Sequence, residues 1–389
     1  MMISKTIILK NFRKKKISKK NKKNLSFLLK DKSEVINSLS LNYKDKYNIR
    51  NIKKIAGNSE IRIIGMGGSI LGAEAISSFF GKERKRKFHF VNNLSPNYHF
   101  KRKKYCNLVI SKSGNTLETI ANFNVLNNKG DKNIFITQNK KSYLLNLAQN
   151  LKSEIIHHNN FIGGRYSVLS EVGMLPAELM GFKPNKFRQL NNIIKNKYFL
   201  NSLLNNVESI LSLSKQKKNN SILLNYNPSL INFLEWYKQL TAESLGKKNK
   251  GILPIISNVP KDNHSVMQLY IDGIKNNFYS FFFLNEQNSK KVDFKRFSER
   301  FMNFKNKTLT NIIYNQKIAT EKVFEMKKIP FRSFNILKRD EKTLGELFIF
   351  FILETILLGR ALKVNPFDQP SVELIKTQTK KFLSVNPSK

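Results

Sequence analysis

The feature that most constrains this chain is a rhythm. Short apolar runs end in a glycine- or hydroxyl-rich turn, and each turn leads into a helical pattern. Residues 61–64 form such a run, ending in Gly65-Met66-Gly67-Gly68, and a helical stretch follows over 69–80. Residues 88–91 and 107–111 read as further strands, 115–126 as a helix and 133–137 as a strand. The stretch from about 185 to 218 is polar and helix-like, a candidate connector. The rhythm then resumes with a strand at 221–225. Pro228 follows at a first helical turn, and Leu230, Phe233, Leu234, Tyr237 and Leu240 recur at helical spacing. Strands at 277–284 and 331–337 alternate with helices at 308–326 and 341–362, and a last helix opens at Pro370. Short buried strands alternating with helices require a mainly parallel sheet covered on both faces. In 389 residues the pattern gives two such α/β sandwich units. The expected division is a basic, partly disordered N-terminal arm over 1–40, a first domain over 41–200 and a second over 201–389. No close sequence repeat relates the two.

Hydrophobic residues make up 40% of the chain, enough for a sizeable core. Cys106 is the single cysteine, so neither an intrachain disulfide nor a thiolate zinc cluster can form. The charge is unusual: 69 Lys+Arg against 27 Asp+Glu, a net +42. A nucleic-acid binder concentrates such charge on one stripe or tail. Here Lys is spread over the whole chain beside abundant Asn, Ile and Phe, residues of A- and T-rich codons, and no nucleic-acid motif accompanies it. Compositional drift is the plainer reading, and no specific nucleic-acid partner is expected. The one dense run, 10–23, holds Arg13-Lys14-Lys15-Lys16 and Lys19-Lys20 but lacks the apolar core of a secretory signal. It reads as a solvated arm, the alternative being an organelle-targeting peptide, which its Lys-over-Arg bias disfavours. The longest apolar run, 347–358, is broken by Glu354 and is too short to span a bilayer. A cytoplasmic protein without membrane association is expected.

Six segments carry chemistry. Gly65-Met66-Gly67-Gly68-Ser69 ends a strand and opens a helix, where free N–H groups favour an anion. Ile70 replaces the third glycine of a dinucleotide fingerprint, and no Walker lysine follows. Ser111-Lys112-Ser113-Gly114-Asn115-Thr116-Leu117-Glu118-Thr119 repeats that placement with four hydroxyls and a lysine, as a phosphate monoester requires. Simple capping needs only one such residue, Asn115 or Thr116. Arg165 follows Gly163-Gly164, a setting in which a guanidinium can stabilise a developing oxyanion; a surface ion pair is the plain alternative. Gln239 and Glu243 share one helical face, and Glu243 stands near a helix end where the dipole disfavours it. His264 lies in Asp262-Asn263-His264-Ser265, a helix-start pattern, with no metal-ligand spacing nearby. Gln369, Glu373 and Lys376 fall on one side of the last helix.

In this order the stretches 65–72 (GMGGSILG), 111–119 (SKSGNTLET), 163–176 (GGRYSVLSEVGMLP), 243–247 (ESLGK), 262–273 (DNHSVMQLYIDG) and 365–376 (NPFDQPSVELIK) resemble the glucose-6-phosphate isomerase family. That family belongs to the sugar isomerase (SIS) fold group. The resemblance covers roughly 61–383 and implies two SIS-type αβα sandwich domains, the first holding a phosphate cradle. It implies reversible conversion of glucose 6-phosphate to fructose 6-phosphate without metal or organic cofactor, in a homodimer with shared active sites. By resemblance, Glu243 moves the proton between C2 and C1, Arg165 stabilises the cis-enediolate, and His264 and Lys376 assist ring opening. His264 then reaches in from the partner subunit. Ser111, Lys112, Ser113, Gly114, Asn115 and Thr116 cradle the phosphate, with Thr119 close by. Gly68, Ser69, Gln239 and Gln369 line the sugar pocket. The Ser-Gly-Asn-Thr form is also similar to that of bifunctional phosphoglucose/phosphomannose isomerases. A non-catalytic sugar-phosphate sensor on the same fold is the alternative from another class.

Overall fold

A computed structural model of the chain describes residues 2–13, 15–101, 103–292 and 306–385. Lys14 of the basic run and the last residues of the expected second domain, 386–389, lie outside them.

Among the described residues, ten strands form two five-stranded sheets. The first contains β2 (Glu60–Gly65), β3 (Phe88–Val91), β4 (Tyr105–Ile110), β5 (Lys132–Thr137) and β6 (Glu154–His157) in the order β3-β2-β4-β5-β6. All of its pairings are parallel. The second joins β1 (Ile7–Lys10), β7 (Asn220–Asn225), β8 (Leu253–Asn258), β9 (Asn277–Leu284) and β10 (Phe331–Ile336) in the order β1-β10-β9-β7-β8. It is parallel except for β1. The central strands β4 and β9 are buried along their whole length, which is why they read as continuous apolar runs.

Both sheets follow one plan. The opening strand of each, β2 or β7, sits between the second and third strands of its unit, so the connections diverge there. This is the topological switch point of an open α/β sheet, where ligands bind beyond the carboxyl ends of the strands. In the first sheet the strands at that point are β2 and β4, and their ends carry the Gly65–Ser69 and Ser111–Thr116 turns. The helices that leave the two opening strands, Leu71–Phe80 and Ile231–Leu245, pack against each other and join the halves.

The Glu341–Leu362 helix contains the apolar run at 347–358 and lies in the core. Phe348 and Phe351 meet Phe233, Trp236 and Tyr237 there. Glu354 interrupts the run because it is the buried partner of Arg332, which also donates to Ser280 Oγ at 2.9 Å and Tyr237 Oη at 3.2 Å. Among the described residues, no helix is long and apolar enough to cross a membrane.

The first forty residues differ from the expected loose arm. β1 pairs antiparallel with β10, filling the place in the second sheet that β6 fills in the first. Ile7, Leu9, Phe12, Leu25 and Leu28 are buried. Ser18 caps the Lys19–Leu29 helix and donates its hydroxyl to Glu208 Oε1 at 2.6 Å, tying the segment to the Lys197–Lys215 helix. Charge masks this register in the sequence: the lysines point outward and their apolar neighbours inward.

Candidate active site

The site grows from the switch point of the first sheet. Gly68 is glycine for lack of room, since a Cβ there would overlap the Gly164 carbonyl carbon and the Arg165 nitrogen. The turn after β2 is thereby seated on the Gly163-Gly164-Arg165 segment, with Ser69 in the same 3₁₀ turn. In the turn after the adjacent strand β4, Gly114 has φ +67 and its missing Cβ makes room for Ser142.

Within the cradle, Thr116 stands at the N-cap of the Leu117–Leu126 helix yet makes no side-chain cap. Its hydroxyl lies 2.7 Å from Ser111 Oγ instead. Ser111 Oγ also accepts from the Gly114 N–H at 3.2 Å, and Ser113 Oγ accepts from the Asn115 N–H at 3.2 Å. The hydroxyls thus shape the loop without serving the helix end, and the dipole there is left for an anion. Asn115 has a second task, because its Oδ1 accepts from the Tyr143 N–H at 2.9 Å and links two helix starts. Burial holds the Lys112 ammonium below the usual lysine range, and the nearby Lys140 and Arg165 push the same way. Lys112, within electrostatic reach of Lys140 and Arg165, gives the loop a positive field that suits an anion. Thr119 is wholly buried, and its hydroxyl has no hydrogen-bond partner among the described residues.

The helix Pro370–Val385 stands over the cradle. Between them lies a cleft of about 350 Å³ lined by Ser113, Thr116, Glu118, Glu373, Lys376 and Lys380 among others. Lys376 therefore faces the cradle side, with its Nζ 2.6 Å from Glu373 Oε1.

The second half of the site is a carboxylate–guanidinium network. Glu243, 23% exposed near the end of the Ile231–Leu245 helix, places Oε1 3.2 Å from Arg165 Nη1. Its Oε2 accepts from Gln239 Nε2 at 2.9 Å, one turn back. Arg165 is only 2% exposed. It donates to Ser244 Oγ at 2.7 Å, Gln369 Oε1 at 2.9 Å and the Pro366 carbonyl at 2.6 Å. The unfavourable dipole position of Glu243 is thus offset by a fixed cation. The structure brings Arg165, Gln239, Glu243 and Gln369 together and seats them against the Gly68 turn. Gln369 and Lys376, expected on one helical face, diverge: Gln369 precedes the helix and turns toward Arg165. His264 is not brought to the cluster. It ends an exposed 3₁₀ turn (Lys261–His264) after the edge strand β8, and no contact joins it to Glu243 or Arg165 among the described residues.

Sequence reasoning did not single out Tyr166, Trp236, Ser244 or Lys247. Tyr166 Oη lies 2.9 Å from Ser244 Oγ and donates to the Pro366 carbonyl at 3.0 Å, while Trp236 Nε1 donates to the Arg165 carbonyl at 3.2 Å. Tyr166 and Ser244 adjoin Arg165 and Glu243 in the sequence, Trp236 and Lys247 do not, and only tertiary contacts give any of them a role.

A doubly wound α/β pair with an anion cradle at one switch point, and a carboxylate–arginine pair beside it, defines a protein of the phosphosugar isomerase fold. Solved structures carry the same fold. A hypothetical protein of Thermus thermophilus aligns with TM-score 0.81 and 23% identity over 93% of this chain and 94% of its own. A glucose-6-phosphate isomerase from Chlamydia trachomatis aligns with TM-score 0.73 and 19% identity over 90% of this chain and 73% of its own. The phosphoglucose isomerase family model matches residues 46–388, and the chain belongs to that family. Among its relatives, the glucose-6-phosphate isomerase of Methanocaldococcus jannaschii is 31% identical over 84% of both chains. That of Mesomycoplasma hyopneumoniae strain 232 is 34% identical over 82% of both.

Proposed function

We propose that this chain is an enzyme that interconverts glucose 6-phosphate and fructose 6-phosphate, a step of sugar breakdown and synthesis, acting in the cytoplasm as a homodimer. The observation that carries the reading is the Glu243 carboxylate held 3.2 Å from the Arg165 guanidinium beside a hydroxyl cradle that leaves its helix end uncapped. Aldose–ketose exchange needs a base for a C–H proton next to a carbonyl and a cation at the oxygen that gains charge. Glu243 takes the C2 proton, the electron pair moves to the carbonyl, and the resulting enediolate rests against Arg165. The same carboxyl returns the proton to C1 while the hydroxyl proton passes from O2 to O1. Ser111, Lys112, Ser113, Gly114, Asn115 and Thr116 hold the phosphate and so position the reacting carbons. Gly68, Ser69, Gln239 and Gln369 face the sugar, Lys376 serves the ring oxygen, and His264 completes the site of the partner subunit. A sensor needs only the cradle, so the paired Glu243 and Arg165 favour the enzyme.

Glu243→Gln keeps the shape and removes the proton acceptor. Isomerisation should fall by orders of magnitude while KM changes little. A coupled assay with glucose 6-phosphate and mannose 6-phosphate offered separately measures both activity and sugar specificity. Near-normal turnover of the Gln variant would overturn the assignment.

A further inference from the structure

The loop that leads into the closing helix is gripped from two sides, and the isomerase chemistry uses only one of them. On the inner side Arg165 holds the carbonyls of Pro366 and Asp368 at 2.6 and 3.1 Å. On the outer side Lys247 approaches from just past the end of the Ile231–Leu245 helix. Its ammonium donates to the Asn365 carbonyl and lies 2.9 Å from Asp368 Oδ1. In a chain whose lysines are mostly solvated, the Lys247 side chain is only 12% exposed. Asp368 answers the same contact, since the hydrogen bond from Lys247 holds its carboxyl below the usual aspartate range. Asn365 Nδ2 closes the loop on itself by donating to Asp368 Oδ2 at 3.0 Å.

Beyond this loop the grip ends. Every side chain from 367 to 384 is exposed. The hydrogen bonds and ion pairs of the Pro370–Val385 helix stay within the helix among the described residues. The direction of that helix is therefore set at its first turn, by whatever fixes 365–369. Small angular errors at a pivot become ångström errors at Lys376, two turns away.

We propose that Lys247 is a positioning residue: by clamping Asn365 and Asp368 it aims the closing helix, setting Lys376 over the phosphate cleft and Gln369 on Arg165. The inference rests on the isomerase reading for its kinetic readout and on the structure alone for its conformational one. Lys247 touches neither phosphate nor sugar in this role. It acts through the loop, and its partner is half-exposed, so its loss has little bearing on global stability.

The test is a double-mutant cycle with Lys247→Met, Asp368→Asn and the pair together, plus Lys247→Arg. For fructose 6-phosphate, each single change should lower kcat/KM roughly 10–100-fold, the range expected when a reacting group is displaced by about an ångström. The double variant should be no worse than the singles, because both remove one contact. Lys247→Arg keeps a cation at the loop and should recover most of the loss. In parallel, limited trypsin digestion should release the C-terminal helix faster from the Met and Asn variants, with the thermal midpoint unchanged. Additive losses in the cycle, or unchanged kcat/KM in Lys247→Met, overturn the proposal. An equal fall in kcat/KM and thermal midpoint, without faster release of the helix, also overturns it by showing a general structural role. If the wild-type chain shows no isomerase activity, the functional reading has failed, and the digestion experiment still decides the clamp.

Discussion

Glu74 carries a pH signature that its neighbours explain. It lies on the Leu71–Phe80 helix that leaves the Gly68 turn, only 6% exposed. Burial raises its pKa from 4.5 to about 7; the hydrogen bond from Asn92 at 2.7 Å opposes this, and Glu235 on the facing helix adds to it. Between those values the folded chain holds a proton that the unfolded chain releases. Stability from this group is complete below about pH 4.5 and is lost as the pH rises through about 7. Glu74→Gln keeps an acceptor for Asn92 and cannot ionise. It should leave stability unchanged near pH 4 and raise it by about 3 kcal/mol at pH 8. Urea unfolding at the two pH values measures this, and an equal gain at both would refute it. At this scale the sequence was most readable where function is local. Ser111, Ser113 and Thr116 stand out by density of hydroxyls, and the fold gathers them in one loop. Thr119 adds a fourth hydroxyl to the same stretch, and its burial is not visible in the spacing.

Strands were legible in proportion to their burial. β4 and β9, covered on both faces, read directly as apolar runs. The three that escaped notice, β1, β6 and β8, are all edge strands. β8 contains Pro254 and exposes Leu253 and Ile255, a pattern that resembles a loop because one side has no neighbour. β1 was hidden by the basic residues that follow it. Its buried side chains make a testable claim about the element. Ile7→Ala and Leu9→Ala should each cost about 2–5 kcal/mol, as for other core truncations. The pair should also uncover the β10 edge and promote aggregation. Chemical denaturation and light scattering would follow both effects. A double variant as stable as the parent would mean that β1 contributes nothing to the second sheet.

At the scale of the whole molecule, exposed His264 and the Glu243 cluster stand apart within one chain. If His264 serves a second copy, mixing Glu243→Gln with His264→Ala after dissociation and reassociation should restore activity. Half of the dimers are then mixed and each has one intact site, which gives roughly a quarter of wild-type turnover. Mixed dimers that form and stay inactive would place both residues in one chain's site. Each copy carries +42, so reassociation should improve with moderate salt. The placement of β1 in the second sheet also has a consequence in time. Lys10 lies opposite Ser333, roughly 320 residues further along. A ribosome needs roughly 15–65 s to cover that distance at about 5–20 residues per second. Through that interval Ile7, Leu9 and Phe12 of every nascent chain wait uncovered, beside the same segment on neighbouring ribosomes. Lys10, Arg13, Lys15 and Lys16 give that segment like charge, and like charge keeps growing chains from pairing with one another. That repulsion acts before there is a sheet for β1 to join.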